Sequence, residues 1–381
     1  MKKFIRILGI GVATLLVCLI LLYTFNYEYI LKAAGITYLN GHTSAYIDDY
    51  HEFDNRIIES GSNGREWPRH SNYNSEEATE ALEKINKELK TVAFLVIKND
   101  SLWFEKYYQD YSPSMKSNSF SMAKSIVVAM LGKAIMQGHI ESLEQPVADF
   151  FPQFDKELKV GDLASMASGL NWNENYYNPF GMTARAYYGD NLKKQILKLE
   201  VTETPGEKFK YLSGNTQLLG MVLEKATGKT LSDYLSENFW KPMGMQNKAL
   251  WQLDSEKYGM EKAFCCIASN ARDFARFGKL FKDQGSWNGK SLLDSGFIKK
   301  MTNARFKESP EYGYGIWLTD YMDKEIFYMR GVHGQYVIVI PEDDLLIVRL
   351  GQEFIRKDDQ KHYPDFYRYI DETYKMLENA S

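Results

Sequence analysis

Ser121 and Lys124 stand three residues apart in the stretch FSMAKSIVVAM, where an apolar run begins. On a helix, positions i and i+3 share one face, with Cβ atoms about 5–6 Å apart. A serine in the first turn also meets the positive end of the helix dipole, which favours developing negative charge. That pairing suits a serine nucleophile with a lysine as its base. The lysine must lose about 3 pKa units, roughly 4 kcal/mol, to be neutral near pH 7. Burial among apolar groups supplies such a shift. Ile126, Val127, Val128, Met130 and Leu131 make the run apolar nearly all round, so the helix is expected to be buried. A plainer reading competes: Ser119 or Ser121 caps a core helix, and Lys124 extends to solvent.

Two further stretches carry groups of the right kind. In KFKYLSGN, Tyr211 precedes Ser213 by two residues. On an extended piece both face one side, where a phenol and a hydroxyl can relay a proton. In GVHGQYVIVIP, Gly334 precedes Gln335 on an expected strand. Glycine there permits close approach of a substrate, and the next N–H can serve an oxyanion hole. Taken singly, a tyrosine usually fills a core and a strand glycine often marks a bulge.

These groups need a frame. SEEATEALEKINKEL reads as an amphipathic helix with Ser75 or Asn74 as its N-cap. TVAFLVIKNDSLWFEKYY reads as a hairpin turning at Lys98-Asn99-Asp100. Helices are expected over SMAKSIVVAMLGKAIMQG, over the segment that ends at Gly228, and over SNARDFARFGKLFKDQG. Strands return in YGYGIWLTD, IFYMRGVHGQYVIVIP and DLLIVRLGQ, and a last helix spans 363–378. Strands at both ends of a helical middle predict an α/β (α+β) fold. An antiparallel sheet drawn from both chain ends is flanked by helices, and a second, mostly helical lobe faces it. The site would lie in the cleft between them.

In the order Ser121-Met122-Ala123-Lys124, Tyr211-Leu212-Ser213 and Val332-His333-Gly334, the chain resembles the serine β-lactamase and penicillin-recognising family. Within it, the chain is most similar to the class C-like esterase and 6-aminohexanoate-dimer hydrolase branch. The resemblance runs over about residues 90 to 355. It implies the β-lactamase/transpeptidase-like fold and acyl transfer through a covalent Ser121 ester, with Lys124 and Tyr211 sharing proton transfer. It implies an oxyanion hole from the N–H groups of Ser121 and Gln335. Tyr176, in the loop NENYYNP, matches a tyrosine that assists amide cleavage in that branch; a loop aromatic packing on the rim is the alternative. His333 has an open role. Val332 replaces the usual cation of the third motif, and Ser213 replaces an Asn common in β-lactamases. Both departures favour ester or amide substrates over antibiotics, and the expected partner is a small-molecule ester, amide or peptide. A DD-peptidase and a non-catalytic envelope binding protein of the same fold are the other readings.

Composition excludes some classes. Net charge is −4 with no long basic stripe, so nucleic acid is not an expected partner. The six histidines are scattered and the three cysteines lack zinc spacing, so neither a metal nor a cofactor is expected. Cys265 and Cys266 are adjacent, which implies no disulfide framework. The uncharged run from Ile7 to Phe25 follows Lys2, Lys3 and Arg6, and its length is close to the roughly 20 residues that cross a bilayer. The expected layout is a transmembrane anchor at 1–26, an extracytoplasmic arm and helix at 27–90, and a serine hydrolase domain at 91–381. The basic flank would stay in the cytoplasm, leaving the catalytic part periplasmic or extracellular. Cleavage and secretion form the competing outcome.

Overall fold

The computed structural model describes residues 1–62, 64–356 and 361–380. Its centre is an antiparallel sheet of six strands: β1 (Thr91–Lys98), β2 (Ser101–Tyr107), β3 (Trp317–Tyr321), β4 (Lys324–Gly331), β5 (Gln335–Ile340) and β6 (Leu345–Gly351). Their order across the sheet is β2-β1-β6-β5-β4-β3. The two chain ends meet at its middle, where Leu95 of β1 pairs with Val348 of β6. β1, β5 and β6 are apolar almost without alternation because helices cover both faces.

Helices α1 (Lys2–Thr24), α2 (Tyr29–Thr37), α3 (Glu80–Glu88), α4 (Met122–Met136), α5 (Met182–Tyr188), α6 (Ser213–Thr227), α7 (Ala271–Lys282) and α8 (Pro364–Asn379) complete the frame used below. One face of the sheet packs Val337, Val339 and Leu346 against the core of α4, α6 and α7; the other packs Phe94, Tyr336 and Ile347 against α3 and α8. α7 follows the sequence closely, with Asn270 accepting from the Asp273 N–H at 2.9 Å as its cap. α3 does not begin where expected. Its cap is Thr79, because the Asn74 side chain is committed to the backbone of Glu105 in β2. The arm is also more than a tether: Ile47, Phe53, Ile58 and Trp67 are buried in the main core, and Asn55–Ile58 pairs with Ala249–Gln252 in a small second sheet. α1 has a mean hydropathy of 2.6 and buries nothing.

The largest departure from the sequence expectation concerns the segment 326–341. It is not one strand. β4 and β5 form a hairpin that turns over Val332-His333-Gly334, with both His333 and Gly334 in the left-handed region. Glycine adopts that geometry without steric cost, and it ends the strand there.

Candidate active site

α4 sets the first pair of residues. Ile126, Val127, Val128, Met130 and Leu131 are at most 1% exposed. Each contributes roughly 1.5–3 kcal/mol by burial. Together they outweigh the cost of holding Lys124, itself 1% exposed, away from water. The Lys124 Nζ donates to Ser121 Oγ at 2.9 Å and to the Phe264 carbonyl at 2.7 Å. Burial pushes its ammonium down to about 8, and the Glu174 carboxylate acts in the opposite sense. Ser121 occupies the N-cap position, yet its hydroxyl makes no capping bond. Ser119 is engaged with Ile267 and the Phe120 carbonyl. The plain reading of a capping serine and a solvated lysine therefore fails on both counts.

The turn before Ser121 is held by a chain of hydrogen bonds that runs into the arm. Phe120 has a positive φ of 44°, and its N–H donates to Asn118 Oδ1 at 2.9 Å. Asn118 in turn donates to the buried Asp49 of the arm at 3.1 Å. Burial raises the Asp49 carboxyl to about 6, against the pull of Tyr187, Asn118 and Lys262. A non-glycine residue in a sparsely populated backbone region costs of order 1–3 kcal/mol and persists only where surroundings fix it.

Tyr211 and Ser213 straddle the start of α6. The Tyr211 ring lies 5.2 Å from Lys124 Nζ and packs on Trp317 at 5.3 Å. Burial raises its phenol far above the usual range, while Ser121 and Arg330 pull it back down. Ser213 is buried and donates through both its N–H and its hydroxyl to Glu174, at 2.6 and 2.7 Å. Glu174 also accepts from Trp172 Nε1 at 2.7 Å and from the Tyr176 hydroxyl. Tyr176 thus turns its hydroxyl inward while the residue as a whole remains 54% exposed. Glu174 stood unremarked in the sequence, although a carboxylate two residues before Tyr176 in a loop of amides and phenols was a usable signal.

The third motif is arranged differently from the expectation. Gln335 is fully buried on β5, pairs with Gly331 and donates its side-chain amide to the Gly351 carbonyl. Gly334 backs onto Arg349, and His333 contacts the Ala45 carbonyl at 2.9 Å and the Phe120 ring. The glycine that meets the nucleophile turn is Gly331, where an added Cβ would overlap the Ser119 carbonyl oxygen and crowd Gln335. Gly331→Ala is expected to cost about 1–3 kcal/mol and to lower kcat/KM more than tenfold by pushing β4 away from the turn. Thermal melts with ester kinetics check it; unchanged kinetics would detach β4 from the site. Cys265 and Cys266, beside the carbonyl that holds Lys124, are bonded to each other.

The Beta-lactamase family model matches residues 78–367. The chain is 25% identical over 296 residues to the 6-aminohexanoate-dimer hydrolase of Paenarthrobacter ureafaciens, covering 71% of this chain and 74% of that one. Among solved structures it superposes on a Bacillus anthracis protein provisionally named a 6-aminohexanoate-dimer hydrolase, with TM-score 0.75, 20% identity, and coverage of 91% and 95%. The D-amino acid amidase of Ochrobactrum anthropi SV3 superposes with TM-score 0.60 at 17% identity, covering 78% and 96%. These superpositions share the fold.

Proposed function

The chain belongs to the beta-lactamase family of serine hydrolases, and from that premise we propose that Ser121 forms a covalent acyl-enzyme with small esters and amides. The observation that carries this is the 2.9 Å bond from a dry Lys124 to a Ser121 hydroxyl that caps nothing. Lys124 takes the Ser121 proton as Oγ attacks the carbonyl carbon. The tetrahedral intermediate collapses, and the leaving alkoxide or amine takes a proton through Tyr211. Water then repeats the cycle on the ester, and Ser121 recovers its proton. The raised phenol of Tyr211 supports a neutral relay rather than a resting phenolate. Ser121 N–H is one oxyanion donor. For the second, we replace the expected Gln335 with the N–H of Val332, the first beyond Gly331, since Gln335 belongs to the ladder.

Tyr176 would meet the scissile amide from the rim, held by Glu174. A relative named for hydrolysing a 6-aminohexanoate dimer favours small amide or ester substrates. α1 would anchor the enzyme, with the domain outside the cytoplasm, as Lys2, Lys3 and Arg6 suggest.

The test is a panel on the full chain in detergent: p-nitrophenyl esters, linear aminohexanoate amides, D-amino acid amides, a D-Ala-D-Ala peptide and a penicillin. Turnover of esters and small amides is expected. Cleavage of the D-Ala-D-Ala peptide alone would establish a peptidase. Neither turnover nor an adduct with any member would leave a binding protein.

A further inference from the structure

The loop from Asn173 to Gly181 carries Glu174 and Tyr176 on its inner side. Its outer side shows large apolar groups to solvent, with Tyr177 75% and Phe180 58% exposed. This loop is fastened to the chain that leaves α1. Tyr27 packs edge-on against Phe180 at 5.5 Å, and Tyr29 donates to the Pro179 carbonyl at 2.9 Å. Arg185 of α5 lies over both tyrosines, at 4.9 and 5.2 Å. Tyr27 lies three residues along the chain from Thr24, a span of at most about 10 Å. Phe180 is therefore held close to the end of the apolar helix, whatever the tilt of that helix.

The neighbourhood has the composition of a membrane interface. Tyr23 and Phe25, at the end of α1 and a few residues before Tyr27, are both exposed. Arg356 lies over the Tyr177 ring at 5.1 Å. Aromatic rings accompanied by arginines sit at headgroup depth, apolar body inward and polar groups in water.

We infer that this rim is a bilayer-docking surface, and that amphiphilic esters or amides reach Ser121 from the membrane side of the cleft. The inference rests on the proposed anchoring by α1. It adds an orientation that anchoring alone does not provide, since a tethered domain can hold its cleft toward bulk water.

The experiment uses the full chain in vesicles of phosphatidylcholine and phosphatidylglycerol. Spin labels go singly on Tyr177→Cys, Phe180→Cys and, as a reference, Lys290→Cys, each with Cys18→Ser. Collision rates with oxygen and with a water-soluble nickel complex report depth. Labels at 177 and 180 are expected at headgroup level, with the label at 290 in water. Tyr177→Ser combined with Phe180→Ser is expected to lower kcat/KM at least tenfold for a p-nitrophenyl laurate carried in the vesicles, leaving p-nitrophenyl acetate unaffected. Water-like collision rates at all three sites, in a chain that stays with the vesicles through an alkaline carbonate wash, would overturn the inference and spare the anchor. Release by that wash would overturn both.

Discussion

Ser121→Ala is expected to lower p-nitrophenyl acetate turnover by about 10⁴-fold or more, since the nucleophile and its base act as one unit. The same change should barely move the melting temperature. The hydroxyl caps nothing, and Lys124 keeps its bond to the Phe264 carbonyl. This contrast separates chemistry from folding: a variant that is inactive but folded cannot be explained by damage to α4. Intact mass gives the second reading. Wild type incubated with the ester gains one acyl group, and Ser121→Ala gains none. Equal turnover in both proteins would remove Ser121 from the mechanism.

The second large effect belongs to Lys124. Its ammonium titrates at about 8, so the free base accumulates as pH rises through that value. Wild-type kcat/KM should climb across the same window and level off above it. Lys124→Met should lose about 10²–10⁴-fold and show no such limb. Glu174→Gln isolates the sign. The Glu174 carboxylate stabilises the charged lysine, so removing its charge should lower the lysine pKa and move the limb to lower pH. Glutamine keeps one carbonyl acceptor, which can face the Ser213 N–H and Trp172 Nε1, while its amide can donate to the Ser213 and Tyr176 hydroxyls. A limb that persists in Lys124→Met, or that stays in place in Glu174→Gln, would show that another group titrates.

Much of this site was legible locally. The spacing of Ser121 and Lys124, the apolar run behind them and the helix α7 depend on neighbours a few residues apart, and each took the form the sequence predicted. The hairpin at Val332-His333-Gly334 was missed because two apolar strands joined by a three-residue turn look like one strand when a valine and a histidine fill the turn. The sequence pointed to Gly334, which backs onto Arg349, whereas the glycine lying against the Ser119 carbonyl is Gly331. The grip of Asp49 on Asn118, and the role of Glu174 as common acceptor for Trp172, Ser213 and Tyr176, were beyond local reading. Such contacts join segments far apart in the chain, and side-chain type alone does not identify the partner.

The pairing of β1 with β6 also sets a schedule. Synthesis delivers Ser121 early and Gly351 late, and at about 5–20 residues per second the interval is roughly 10–45 s. Through that interval β1 has β2 on one side but lacks β6 on the other, and for most of it the wall formed by β4 does not exist. Contacts of such long sequence separation are slow to form, because loop-closure entropy must be overcome before they stabilise anything. The nascent chain therefore carries its nucleophile helix for most of its production without a working cleft around it. Hydrolytic competence arrives with the last strand, so a chain truncated ahead of residue 345 is a substrate for proteolysis rather than a crippled enzyme.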